Sequence, residues 1–547
     1  MHRSRGAPIT RLVVRAGAGL VLLGALAAVL ALVLRGSSSQ PPHPAVESIF
    51  QDDQYLLYSP PSAVEKTLQE LAAVGVDRIR LTIVWAAIAP ASGSRVRPRR
   101  FDATNPGAYP AGSWANYDRV VQLAGARGIA VDFNLTAPGP LWAMARRAPS
   151  ARFANHYRPS ARDFGRFVTA IGRRYSGTYA PAGARRALPR VSFWTIWNEP
   201  NQPGWLSPQW RTAAGRQVAD SPRLYRQYVD AGFAALERTG HAPSSDTVLI
   251  GELAPEGLNR KRPADPIRPM VFLRDLYCLD GAYRPLRGAP AALLHCPRNG
   301  TTNAFVSAHP GLFQASGFAH HPYFFFLAPE VHFPADPNFA SLADLSRLEN
   351  GLDRSLQTYG VHRQLPIWVT EYGYETYPPN PFVGVSLQQQ ARYLDQAQYM
   401  AWQDPRIRSF AQFLLVDSAP NRAYPPSSRG YWSTFQTGLL FYGGAPKPSF
   451  YSYPLPIFVP HPVASPGSSV LVWGMLRLAP NRTTQRALIQ WRAGRGGFRT
   501  LATVTTKDPS GFLTARVQLP GPGSVRIAWT SPKGLPYHSR SVAVRSS

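Results

Sequence analysis

An α/β chain built as a closed (β/α)8 TIM barrel, followed by a small all-β sandwich of immunoglobulin or fibronectin type, is the fold class the sequence predicts. Three observations predict it. Between residues 48 and 450 short apolar runs alternate with amphipathic stretches, the pattern of a parallel sheet with helices packed outside. Eight such runs can be counted, the number that closes a barrel. After Pro456 helical periodicity stops, and short β-branched and aromatic runs broken by Gly, Pro, Asn and Asp take over, which is the pattern of a sandwich.

The elements follow in order. SIFQDDQYLLYS (48–59) is the first strand candidate. DRIRLTIVW (77–85) follows the helical SAVEKTLQELAAVG, and IAVDFNLTAP (129–138) follows WANYDRVVQLAGARG. VSFWTIWNEPN (191–201) follows ARDFGRFVTAIGRRYSG, and DTVLIGELAPEG (246–257) follows PRLYRQYVDAGFAALERTG. FQASGFAHHPY (313–323) comes after an irregular insertion that holds Cys278 and Cys296, the only two cysteines and a candidate loop-closing disulfide. LPIWVTEYGYET (365–376) and RSFAQFLLVDSA (408–419) each follow a further amphipathic stretch. An open doubly wound sheet is the competing arrangement, but no Gly-rich phosphate loop follows the first strand.

Upstream of the barrel, a basic flank precedes an apolar run at 16–34 that ends directly on Arg35, followed by a Ser/Pro-rich stretch. That run is long for a signal-peptide core and close to the length of a bilayer span. The expected organisation is a signal anchor or signal peptide at 1–35, a linker at 36–47, the barrel at 48–456 and the sandwich at 457–547. The positive flank keeps the N-terminal end inside. The body is therefore expected outside the membrane, single-pass and tethered, or secreted if the segment is cleaved.

The 547 residues carry a formal net charge of +28, mostly through arginine, with 44% apolar and 12% aromatic residues. No basic helix or Arg/aromatic ribbon of a nucleic-acid module occurs in the middle of the chain, so no nucleic-acid partner is expected. Residues 457–547 hold 12 Lys/Arg and one acid, Asp508. That excess is either a solvated basic face or a module for anionic envelope polymer or lipid headgroups.

A barrel places its chemistry at the C-terminal ends of its strands. There the fourth run delivers Asn198 and Glu199, and the seventh delivers Glu371. Two carboxylates at one mouth are the minimum for cleaving a glycosidic bond, one as acid and one as nucleophile or base. WTIWNEPN (194–201) and WVTEYGY (368–374) resemble the acid/base and nucleophile signatures of clan A glycoside hydrolases. PGPLWA (138–143) and APKPSFYSY (445–453) are similar to segments of family 39 and its family 5 relatives. The resemblance implies a retaining double displacement, with Glu199 as general acid/base and Glu371 as nucleophile. It implies that Asn198 bonds the sugar 2-hydroxyl, that Tyr323 of His321-Pro322-Tyr323 contacts the nucleophile, and that Arg80 keeps it ionised.

Beside these, His321 is expected in the cleft and His320 in the core. Glu252 is expected to be structural or at the rim, and Glu375 beyond the mouth. Trp85, Trp142, Trp197, Trp205, Tyr372 and Trp432 lie at or past strand ends, where rings stack on sugars or pack in the core. The eighth run departs from the family pattern: Phe413 and Asp417 stand where a tryptophan usually floors the subsite. Asp417 is expected to reach a sugar hydroxyl or to cap a loop. The third run ends Asn134-Leu135-Thr136, without the histidine common in family 5. No Cys/His spacing suits a metal, and two carboxylates with water need no cofactor. An oligo- or polysaccharide is the expected partner. The rival readings are a transglycosidase on the same barrel and a non-catalytic carbohydrate-binding surface protein.

Overall fold

A computed structural model describes residues 45–545 other than 301, 325, 333–335, 464, 466–467 and 480–482. The apolar run at 16–34 lies outside the described residues. Among those described, no helix is long and apolar enough to cross a membrane.

Eight parallel strands close into a barrel: β1 (Glu47–Gln51), β2 (Arg78–Val84), β3 (Ala130–Thr136), β4 (Phe193–Ile196), β5 (Thr247–Leu253), β6 (Gly317–His320), β7 (Ile367–Val369) and β8 (Ile407–Phe413). Each pairs with its neighbours in sequence, and β8 pairs with β1 in the register Glu47↔Ser409 to Gln51↔Phe413, which removes every edge. The long helices between strands are α1 (Pro61–Ala73), α2 (Ala115–Gly125), α3 (Ala161–Arg174), α4 (Ser221–Arg238), α5 (Pro269–Leu276), α6 (Leu345–Thr358) and α7 (Leu387–Gln403). Their starts are set locally. Ser160 caps α3 by accepting from the Asp163 N–H, Pro222 sits in the first turn of α4, and Ser386 and Gln389 form a reciprocal capping box on α7.

All eight predicted runs hold a barrel strand, and each strand is shorter than its run. The first ends at Gln51 because Asp52 accepts from the Tyr55 N–H and starts a helical turn, Asp53–Leu56. The sixth is preceded by a helical turn at Pro310–Gln314, and the seventh keeps only Ile367–Val369. Cys278 and Cys296 form a disulfide within the insertion between β5 and β6.

The C-terminal region is a β-sandwich. One sheet orders β9 (Ile457–Phe458), β10 (Ser469–Met475) and β13 (Phe512–Gln518). The other orders β12 (Arg499–Thr506), β11 (Gln485–Arg492), β14 (Gly523–Thr530) and β15 (Pro536–His538), with β16 (Val542–Val544) also on β14. Strict alternation along β11, with Gln485, Ala487, Ile489 and Trp491 inward, gives it one core face and one wet face. Trp473, Met475 and Phe512 of the smaller sheet belong to the barrel's core rather than the sandwich's. Arg540 pairs with buried Asp395 of α7, and the Ser510 hydroxyl accepts from Val46 N–H beside β1 at 2.8 Å.

Candidate active site

The turn after β4 aims Asn198 and Glu199. Trp197 and Glu199 have φ of 74° and 35°, a region side-chain-bearing residues enter only when their surroundings hold them there. Here the surroundings do. The Trp197 indole is fully buried and stacks on Tyr228 at 4.5 Å. The Trp197 N–H donates to Leu135 O and the Asn134 amide donates to Trp197 O at 2.6 Å. Asn201 then ties the loop to the segment after β5, donating to Ala254 O and Ile267 O and accepting from the Ala254 N–H.

Across the mouth, Glu371 follows β7. One carboxylate oxygen from each of Glu199 and Glu371 and a ring nitrogen of His321 all lie within 4.8 Å of one another. Arg80, on β2 and wholly buried, donates to Glu371 at 2.8 Å, to the Asn198 carbonyl oxygen at 2.7 Å, to Glu252 at 2.7 Å and to Gln51. The Tyr323 hydroxyl donates to the other Glu371 oxygen at 3.1 Å. His321 spans two carboxylates: Nδ1 meets Glu199 at 2.9 Å and Nε2 meets Glu252.

The charges beneath the mouth are mutually dependent. Burial alone would lower the His321 pKa, yet the Glu371 and Glu252 carboxylates, with the Glu199 hydrogen bond, push it up to about 10. Burial alone would raise Glu252; Arg80 and then His321 outweigh it and hold Glu252 below the ordinary value. Glu371 moves up, driven by burial and opposed by His321 and Arg80. Asp132, 4.0 Å from Arg80, is pushed up to about 7 by burial.

Glu199, His321 and Glu371 are all of metal-ligand type. Both His321 nitrogens already face carboxylate oxygens, however. A ring protonated at both has no lone pair for a cation, so this donor set suits proton transfer better than ligation.

The mouth opens into a cleft of about 680 Å³. Asn198, Glu199, Glu371 and Tyr323 line it, with Trp205, Phe413 and Phe435 as apolar walls. Asp53 and Glu256 add two more carboxylates, and no Lys, Arg or His is among the lining residues.

Several residues expected at the sugar lie elsewhere. Trp142 is spent on packing: its indole donates to Pro90 O at 2.9 Å and its ring meets Trp85 and Phe101 edge-on. Trp85 is buried and stacks on Phe167. Tyr372 is buried with its hydroxyl on that of Tyr374, since the residue after Glu371 points away from the mouth. Asp417 closes a buried pair with Lys447 at 2.7 Å and accepts from the Gly438 N–H, so it fixes a loop. Trp432 packs on Tyr431 and donates to Pro426 O. His320 lies in the core as expected, its Nε2–H donating to Ala340 O at 2.6 Å, and burial pulls its pKa down to about 4.

Sequence reasoning missed Gln51, Asp53, Thr82, Gln202 and Glu256 as cleft residues. For Asp53 a signal existed: QDDQ sits where the first strand stops, at the end of a barrel that carries chemistry. Reading that stretch as strand through residue 59 hid it.

No protein-family model matches the chain, and no curated protein matches it. Solved structures do. The endo-beta-1,4-mannanase of Thermotoga petrophila is similar at 11% identity, over 93% of this chain and 99% of that one, with a TM-score of 0.39. A beta-glucosidase from Exiguobacterium marinum is similar at 15% identity, over 71% and 84%, with a TM-score of 0.43. A GH5_18 protein from Streptomyces cattleya, solved with GlcNAc, is similar at 14% identity, over 75% and 79%, with a TM-score of 0.42. The barrel itself is established by this chain's own strand register.

Proposed function

We propose that this chain is a retaining β-glycoside hydrolase of the clan A type. The observation that carries the reading is the pair Glu199 and Glu371, brought within 4.8 Å across an open cleft from strands four and seven. Retaining enzymes hold their carboxyl groups about 5–5.5 Å apart, inverting ones about 6.5–9.5 Å.

The roles follow from what each carboxylate touches. Glu371, fixed by Arg80 and Tyr323, attacks the anomeric carbon as the glycosidic C–O bond breaks. Glu199 gives its proton to the departing oxygen. The resulting glycosyl ester is then cleaved by water: Glu199 takes a water proton, the water oxygen bonds the anomeric carbon, and the Glu371 carboxylate leaves. His321 occupies one Glu199 oxygen, which directs the other at the leaving group. Arg80 holds the Asn198 carbonyl oxygen, so the amide N–H2 faces the glycone, where it can bond a 2-hydroxyl.

The lining chemistry narrows the glycan. Beyond the two catalytic carboxyl groups, Asp53 and Glu256 line the cleft with no Lys, Arg or His among the described lining residues, which disfavours a uronic acid and admits a neutral or amino sugar. Asp53 offers its carboxylate to the glycone beside the Gln51–Arg80–Glu371 chain. On this reading the protein works outside the membrane, tethered through 16–34 or secreted. The apolar run and the Cys278–Cys296 disulfide support that placement.

The test is a panel of activated aryl β-glycosides with wild type, Glu371→Gly and Glu199→Gln. Glu371→Gly should be inert and regain turnover with azide, giving the glycosyl azide of inverted configuration. Glu199→Gln should show a burst and then stall as glycosyl-enzyme. Full activity in either variant overturns its assignment, and a wild type inert on every β-glycoside favours the non-catalytic reading. Adding sugar acceptors separates hydrolysis from transglycosylation by product.

A further inference from the structure

The wet face of the five-stranded sheet carries arginines that, among the described residues, pair with no carboxylate. Along β11 the outward positions are Arg486, Leu488, Gln490 and Arg492. The antiparallel register sets Arg526 of β14 opposite Gln490, diagonal to Arg492, and sets His538 of β15 opposite Ala528. Phe498 lies under both guanidinium groups, 4.6 Å from Arg492 and 3.9 Å from Arg526. Among the described residues, none of Arg486, Arg492 and Arg526 makes a salt bridge, and Arg492 Nε is buried without a hydrogen-bond partner. Asp508, the one acid in 457–547, is turned to the backbone N–H groups of Ser510 and Phe512. A groove of about 250 Å³ continues the face through Arg486, Thr530, Tyr537 and His538.

Like charges side by side cost free energy unless an anion joins them. In the barrel mouth the same chain surrounds buried Arg80 with carboxylates. Here it stacks two arginines on one ring and supplies none. The row from Arg486 to Arg492 spans six residues, about 20 Å at the rise of a strand, which suits a linear chain with repeated charges. The cations lie in a row along the middle of a sheet face, which a linear polymer can follow.

We propose that the outer face of β11, β14 and β15 is a binding site for a linear polyanion, with Arg492, Arg526 and Phe498 as its anchor and Arg486 and His538 as its extension. The guanidinium forks pair with phosphate or carboxylate groups, the ring fixes their planes, and the polymer supplies the missing negative charge. This is independent of the glycosidase reading. In function it would hold the barrel near an anionic matrix while the cleft works on a different, uncharged chain.

The test uses the full chain in neutral detergent, with long-chain inorganic polyphosphate and polygalacturonate as probes and dextran as control, at about 150 mM salt. Arg492→Gln with Arg526→Gln should weaken binding at least tenfold. Arg185→Gln with Arg186→Gln removes the same charge from an exposed barrel loop and should change it less than twofold. Binding should fall steeply with salt, and the probe preferred assigns the anion as phosphate or carboxylate. Equal weakening by both double variants would reduce the effect to net charge and overturn the site. So would no binding to either probe, or tighter binding to phosphatidylglycerol vesicles than to both polymers.

Discussion

The barrel mouth and the outer sheet of the sandwich treat charge in opposite ways. In the mouth, Arg80 and His321 are fully buried and each touches more than one carboxylate. On the sheet, arginines are part-exposed and touch aromatic rings or amides. The first arrangement fixes geometry: every group there depends on another for its charge state. The second leaves a field directed outward. Substitutions should therefore be costly and catalytic in one region, mild and binding-specific in the other.

The largest effect expected is at Glu371. Removing its carboxylate as Glu371→Gly should lower kcat by roughly 10⁴ or more, the scale that follows loss of a covalent nucleophile, with azide restoring a measurable part. Arg80→Met comes next, and it tests the dependence directly. Glu252, Asp132 and Glu371 would keep their burial and lose their shared cation. Breaking a buried pair from one side costs about 3–5 kcal/mol. Urea melts should show that loss, and the acid limb of kcat/KM should move upward. The sign follows from Glu371. It must be ionised to attack, and burial already raises its pKa above 4.5. Activity therefore falls as pH drops through that raised value, and without Arg80 the fall begins at higher pH. An acid limb below 4.5 in wild type would contradict the arrangement.

Glu252→Gln probes the clamp on His321. The ring is held at about 10 by carboxylates on both sides; with one gone its pKa should fall, bringing imidazolium loss into the alkaline limb of activity. Ring-nitrogen NMR of His321 checks this. A resonance that titrates unchanged in the variant would show that Glu252 is only packing.

How much of this was legible in the sequence depended on range. The eight strands were readable because parallel strands covered on both faces leave apolar runs, and helices between them leave period-3.6 patterns. Asn198, Glu199 and Glu371 were readable because strand ends in a barrel converge whatever their spacing in the chain. The His321–Glu252 contact was not. It joins residues 69 apart, and nothing local marks Glu252 as belonging to the mouth's charge network. Tyr372 and Asp417 were misplaced for a related reason. A strand end says which layer a side chain occupies. It does not say whether the next residue turns toward the cleft or away, and Lys447, the partner that claims Asp417, lies 30 residues on.

A smaller effect is expected where the two regions join. Asp395 of α7 is buried, accepts from Ile457 N–H at 3.3 Å and pairs with Arg540. Burial pushes it up to about 6, with Arg540 pulling the other way. Asp395→Asn should cost about 1–3 kcal/mol. Because Trp473 and Phe512 sit in the barrel's own core, barrel and sandwich should still melt in one transition. Two separated calorimetric transitions would show that the shared core does not couple them.

The smallest effect on stability, and the one that most sharply separates the regions, is at Arg526. Burial and the neighbouring Arg492 both lower its pKa, so the folded state disfavours its charge. Arg526→Gln should leave stability within a few tenths of a kcal/mol of wild type or raise it slightly, since exposed charge pairs are worth little. Polyphosphate should reverse that order. A ligand bound only by the folded chain stabilises it by RT ln(1 + [L]/Kd), so the melting temperature of wild type should climb with polyphosphate while that of Arg526→Gln lags. A loss of several kcal/mol without polyanion would mean that Arg526 serves the sandwich as Arg80 serves the barrel, and the contrast between the two regions would vanish.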